Sequence, residues 1–155
     1  MDHAAYLNEI TQAYQAEVRG EATFSTLAEH ATSGEEVEIW RTLERLESTT
    51  RQHLIPLLER HGLDTTPDPE RRRLGQERGK ARAAAGFAAT ITSMTETLQP
   101  YLTRYAQLEA EGPPGDRSEL QYPNGHEIAL YEFAVRAMAG GGRDSLAPVR
   151  AFLDR

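Results

Sequence analysis

An all-α fold, an up-and-down bundle of four main helices closed by a short fifth, follows from three features of the sequence. Apolar residues recur at alternating three- and four-residue spacing over long stretches. Nowhere does the two-residue alternation of a β-strand appear, and no internal repeat stands out. The periodic stretches are separated by clusters of Gly, Pro, Ser, Thr, Asp and Asn, the residues that cap and stop helices. At 155 residues the chain suits a single helical-bundle domain over 1–155 with a real hydrophobic core.

The first helix is predicted from about Asp2 to His30. Its inward face reads Leu7, Ile10, Tyr14, Glu17, Glu21, Phe24 and Ala28, apolar except for two central glutamates. Gly20, between them, weakens the helix by about 1 kcal/mol relative to Ala, and either lets a neighbour approach closely or is a neutral accident. Ser33-Gly34-Glu35-Glu36 forms a capping box that opens the second helix, and the early glutamates suit the positive end of its dipole. The inward face of this helix is Trp40, Leu43, Glu47, Thr50, Leu54, Leu57 and His61, with a bend expected at Pro56 and a cap at Gly62. Asp68 and Pro69 start a third helix whose early turns, carrying Gly75 and Gly79, are expected to be loose. From Phe87 it continues as Ile91, Met94, Leu98, Tyr101, Tyr105 and Leu108, kinked at Pro100, to the stop at Gly112-Pro113-Pro114-Gly115. Asn124 is expected to cap a fourth helix over about Gly125 to Ala139, with His126 or Glu127, Leu130, Tyr131, Ala134 and Met138 inward. Gly140-Gly141-Gly142 ends it, and Leu146, Val149, Phe152 and Leu153 line the short fifth helix.

Composition narrows the function classes. No stretch approaches the roughly 18 apolar residues of a membrane span, and the N-terminus lacks the basic start and apolar core of a signal peptide. The absence of cysteine excludes disulfides, thiolate metal sites and cysteine nucleophiles, and fits a cytoplasmic location. A net charge of −7 argues against nucleic acid as a partner. The basic run from Arg71 to Arg82 lacks interleaved aromatics and reads as a solvated or salt-bridged helix face. No P-loop, dinucleotide fingerprint, nucleophile elbow or zinc-protease helix is present.

The glutamates on the inward faces carry the chemistry. A short connector makes the first two helices an antiparallel hairpin. Glu17 lies 13 residues before His30 and Glu47 lies 14 after Ser33, so the two meet at nearly one height, with Glu21 about one turn closer to the connector. Carboxylates in one bundle layer repel one another unless a cation, shared protons or an arginine neutralises them. Arg45, Arg51 and Arg104 are the arginines placed to do so. The first functional expectation is therefore a metal or small-molecule ligand held by this layer. The alternative is a non-enzymatic scaffold or interaction protein, a homodimer through an exposed apolar stripe, whose core acids form an arginine-paired or proton-sharing network and bind no metal.

Glu17-Val18-Arg19-Gly20-Glu21-Ala22-Thr23-Phe24, a glutamate followed seven residues later by an aromatic, resembles the first helix of ferritin-like and rubrerythrin-like bundles. Leu46-Glu47-Ser48-Thr49-Thr50 stands where that family's second helix carries a metal-binding glutamate and, three residues on, a histidine. The resemblance covers most of the chain through short motifs. It implies a ferritin-like bundle with Glu-x-x-His on the second and fourth helices and a glutamate on the third. Here Thr50 replaces the histidine, Met94 and Leu98 occupy the third-helix face, and Glu127 is followed by Leu130. What the resemblance then implies is a site degenerate relative to the di-iron pattern, holding iron, manganese or zinc through Glu17, Glu21, Glu47, His126 and Glu127. His3, His30, His53 and His61 read as terminal, capping or boundary residues.

Overall fold

A computed structural model describes residues 1–155, and every regular element in it is helical. Helix α1 spans His3–His30, with Asp2 Oδ1 accepting from the Ala5 amide at 2.8 Å. A three-residue connector leads into α2, Gly34–Arg60, where the Glu36 amide donates to Ser33 Oγ at 3.2 Å, the first half of the expected capping box. Helix α2 is continuous through Pro56.

The third helix predicted from the sequence is in fact three. Helix α3, Pro69–Ala85, is followed by α4, Phe87–Thr97, and α5, Gln99–Glu111. Gly86 separates the first two with φ +96°, a left-handed conformation that only glycine adopts without strain, and the chain reverses there. The second break sits at Leu98, next to Pro100, which has no N–H to continue the helical ladder. Far from being loose, α3 is packed directly on α1. A Cβ on Gly75 would lie 2.3 Å from the Arg19 carbonyl oxygen, and one on Gly79 would lie 2.7 Å from that of Thr23. These two contacts also fix direction: α3 climbs alongside α1, and α4 and α5 descend, so the α4–α5 column runs the same way as α2.

Helix α6 covers Arg117–Met138 and begins well before Asn124. Asn124 is an interior residue that donates to Glu109 Oε2 at 2.6 Å, and Pro123 is accommodated inside the helix. Burial of Leu120 against the α1 and α5 side chains outweighs the weak local signal of this stretch. Met138, expected inward, is 57% exposed; Phe133 takes the inward place. Two 3₁₀ turns, Pro114–Asp116 and Gly142–Leu146, flank α6, and α7, Ala147–Leu153, packs back on it. Gly125 makes room for that packing, since a Cβ there would sit 2.7 Å from Phe152.

The core is two apolar clusters. One gathers Phe24, Trp40, Leu43, Met94, Phe133 and Phe152 near the α1–α2 connector. The other gathers Tyr6, Ile10, Leu57, Tyr105, Leu108 and Leu120 near the N-terminus. Between them lies a buried polar layer containing Glu17, Glu47, Thr50, His126 and Glu127. No helix is long and apolar enough to cross a membrane.

Candidate metal centre

Helix periodicity alone brings Glu17 of α1 and Glu47 of α2 to the same height on facing helices. Both are buried, at 1% and 6% exposure. Gly20 makes this possible: a Cβ at that position would fall 2.3 Å from Glu47 Oε2. The close approach anticipated at Gly20 is thus made by the carboxylate itself. Helix α6 supplies the rest of the layer, because its early start at Arg117 carries His126 and Glu127 to this level.

His126 is fully buried, and one of its ring nitrogens, Nδ1, lies 2.6 Å from Thr50 Oγ1. Thr50, which stands where the family pattern has a histidine, is therefore the partner of a histidine that arrives from another helix. Nδ1 also lies 3.5 Å from Glu17 Oε2, and Nε2 lies 3.5 Å from Glu47 Oε1. One donor atom from each of Glu17, Glu47 and His126 falls within 4.8 Å of the other two. Glu17 Oε2, His126 Nε2 and Glu127 Oε2 are buried without a hydrogen-bond partner. Such groups are rare in folded proteins, because each loses its hydration without compensation.

The electrostatics follow from crowding four ionisable groups into one dry layer. Burial, reinforced by Glu47, pushes Glu17 well above the ordinary carboxylate range. Glu47 goes the other way: burial acts to raise it, but the nearby charge of His126 prevails and holds it below its ordinary value. The same pairing raises His126 against the effect of its own burial. Glu127 is pushed up to about 7, chiefly by burial, with the His126 charge opposing and the Glu47 charge adding. Tyr105, buried beside this layer, is raised well above the usual phenol range by burial and by the charges of Glu17, Glu127 and Glu47. Without a cation, then, the layer settles its repulsion by holding protons.

Glu21 stands apart. Its side chain is 30% exposed and accepts from Arg51 Nε at 2.9 Å, so it acts on Glu17 only through space. Of the arginines placed by sequence to neutralise the acids, Arg51 is taken up by Glu21 and Arg104 by Glu9, and neither forms an ion pair with Glu17, Glu47 or Glu127. Arg45 pairs with none of the three either.

A cavity of about 70 Å³ opens onto Glu17, Glu47 and Glu127, and Arg19, Arg78 and Arg82 line the same space. The basic run of α3 therefore does not behave as one solvated face. Arg73 pairs with Glu70 and Glu77 at the surface, whereas Arg78 and Arg82 turn towards the cavity and are only partly exposed. Burial and the neighbouring guanidiniums lower both, Arg82 to about 10. Sequence reasoning read Thr50 only as a missing histidine and Tyr105 only as a core residue, and it did not place Arg19, Arg78 and Arg82 at the centre. Gly20 alone carried a local signal, a helix-weakening residue between two inward glutamates. Compared with protein-family models, curated proteins and solved structures, the chain matches none of them.

Proposed function

We propose that this protein is a ferritin-like helical bundle that holds one metal ion between α1, α2 and α6. The observation that carries this reading is the set of buried donors left unpartnered on converging side chains, Glu17 Oε2, His126 Nε2 and Glu127 Oε2, around Glu47. Orphaned acceptors at this density are costly to a fold unless a cation meets them. The separation of 3.5 Å between His126 Nε2 and Glu47 Oε1 suits one metal, since bonds of about 2.1 Å at tetrahedral angles place ligands about 3.4 Å apart. Donation of the Nδ1 proton to Thr50 would leave Nε2 free for the metal and fix the ring, the usual role of a hydrogen-bonded partner behind a histidine ligand. Glu17, Glu47 and His126 would hold the ion, and Glu127, outside that group of three but with an unpartnered Oε2 and bordering the same cavity, would be a further donor. An oxygen-rich set with one imidazole suits iron, manganese or zinc. When bound, such an ion supplies Lewis acidity and a lowered pKa for its water.

The ferritin-like arrangement is supported by chain direction. Helices α2 and α4–α5 run the same way, and α3 returns between them as a crossover, as in bundles of that type. Elemental analysis of protein purified without added metal tests the site. About one equivalent of iron, manganese or zinc is expected, lost in Glu47→Gln and Glu17→Gln. Metal-free protein whose melting temperature is indifferent to added manganese, iron and zinc would sink the reading.

A second reading has one observation in its favour. With Glu17 raised by burial and Glu47 held low by His126, the layer can neutralise itself through a protonated Glu17 beside a Glu47–His126 ion pair. In that case the layer is a register-fixing network in a non-catalytic scaffold. Its homodimer would use the exposed Ile128 and Val135 of α6, and light scattering would report twice the chain mass.

A further inference from the structure

Seven arginines in this protein have found a carboxylate, Arg41 and Arg73 within their own helices and five across elements. Arg51 meets Glu21, Arg60 meets Asp116 and Glu119, Arg104 meets Glu9, and Arg143 and Arg150 share Glu38. Arg19, Arg78 and Arg82 are the contrary case. All three line the cavity above the carboxylate–histidine layer, all three are partly shielded from water, and none has a carboxylate within ion-pair distance. Arg78 and Arg82 feel the attraction of Glu47 only at longer range, and it is opposed by the repulsion of the neighbouring guanidiniums.

Their positions are imposed by the fold. The glycine contacts at Gly75 and Gly79 press α3 onto α1, which brings the Arg78 and Arg82 side chains to the side of the cavity where Arg19 stands. Arg19 is held by a 2.6 Å hydrogen bond from Nη2 to the Tyr101 hydroxyl, and its Nε is buried with no partner. Three convergent guanidiniums with spare donors form a fork suited to an oxyanion, because each can bond two oxygens at once. The cavity of about 70 Å³ has room for a group of a few heavy atoms, the size of a carboxylate or phosphate.

We infer that this cavity binds a small oxyanion, a carboxylate or phosphate group, through Arg19, Arg78 and Arg82, next to the metal proposed above. The inference rests on that metal reading. Glu17, Glu47 and Glu127 border the same cavity, and a cation held by them would offer the anion a further positive partner beside the guanidiniums. The two ligands are therefore coupled: each binds more tightly in the presence of the other, by the same factor.

Titration calorimetry with inorganic phosphate and, separately, with acetate tests this on the full-length protein, metal-free and loaded with one equivalent of manganese(II). At least one of the two anions should bind the loaded protein at one per chain, at least tenfold more weakly to the metal-free form. Which anion binds tells a phosphate from a carboxylate source. Arg78→Gln and Arg82→Gln should each weaken that binding about tenfold and leave manganese stoichiometry intact, while Arg78→Lys should recover part of the loss. Because these guanidiniums repel one another, both glutamine variants should melt no lower than the parent; a structural role for the arginines would instead lower the melting temperature. If manganese binds but neither anion does, or anion binding ignores both substitutions, the inference falls and the metal reading stands. If manganese itself fails to bind, the metal reading falls and takes the inference with it.

Discussion

Two buried carboxylate centres lie in this bundle, and they solve the same problem in opposite ways. Near the N-terminal end, Asp116 is 4% exposed and fully satisfied. Its Oδ2 accepts from the Tyr6 hydroxyl at 2.6 Å and lies 2.7 Å from His61 Nε2, and its Oδ1 accepts from Arg60 at 2.7 Å. Although burial acts to raise Asp116, the hydrogen bonds from Tyr6, His61 and Arg60 hold it below its ordinary range. In the central layer, Glu17, Glu47 and Glu127 receive no arginine, and three of the layer's donor atoms find no partner. The chain thus has the means to neutralise a buried acid with its own side chains, and uses them at one centre only. The difference sets the first apart as a self-satisfied network and makes the second the candidate site on which the proposed function rests.

The sharpest way to break this comparison is to remove an acid from each centre. Asp116→Ala leaves Arg60, His61 and Tyr6 without their shared acceptor and is expected to cost about 3 to 5 kcal/mol in urea unfolding. Glu17→Gln in metal-free protein should be near neutral, since glutamine has the shape of the uncharged acid that burial already imposes and no ion pair is lost. Equal losses at the two sites would erase the distinction.

The pH dependence should differ in sign. For Asp116, whose folded pKa is depressed, stability is present above the unfolded value near 3.8 and is lost as pH falls through the lower folded value. Glu127 is displaced upward from 4.5 to about 7, so between those values only the folded chain holds the proton. Metal-free protein should therefore lose stability as pH rises from about 4.5 to 7, by on the order of 3 kcal/mol. Denaturant melts across this range should show the fall, and Glu127→Gln should reduce it, leaving the part contributed by Glu17.

Smaller effects sharpen the picture of the central layer. Gly20→Ala places a methyl group 2.3 Å from Glu47 Oε2, so it should weaken metal binding about tenfold, roughly 1.4 kcal/mol, even though alanine is the better helix former. Competition with a chelator of known affinity measures this directly. Thr50→Val keeps the shape of the side chain and removes the oxygen at His126 Nδ1. A loss of about tenfold in metal affinity is expected, with little change in melting temperature.

Much of the architecture was legible residue by residue. The inward stripes of α1 and α2 and the caps at Asp2, Ser33 and Asp68 are local features, set by helix periodicity and side-chain bonds over a few positions. The pairing of Glu17 with Glu47 was legible too, since a three-residue connector leaves the hairpin little freedom of register. The reading of one long third helix failed at Gly86, where a single left-handed glycine reverses the chain and no local pattern announces it. The start of α6 was missed because burial of Leu120, a long-range contact, overrode a stretch of weak helical signal.

By itself, then, the sequence determined the helical class, the antiparallel first hairpin and the presence of inward acids, all of which depend on neighbours a few residues apart. Only the tertiary structure decided what surrounds those acids. It sent Arg51 to Glu21, set His126 against Thr50, and turned Arg78 and Arg82 towards the cavity. Those choices depend on the direction of α3, the start of α6 and the closeness permitted by Gly20, Gly75 and Gly79. Each is a contact between segments far apart in the chain, and periodicity along one helix carries no information about which partner will stand across from it.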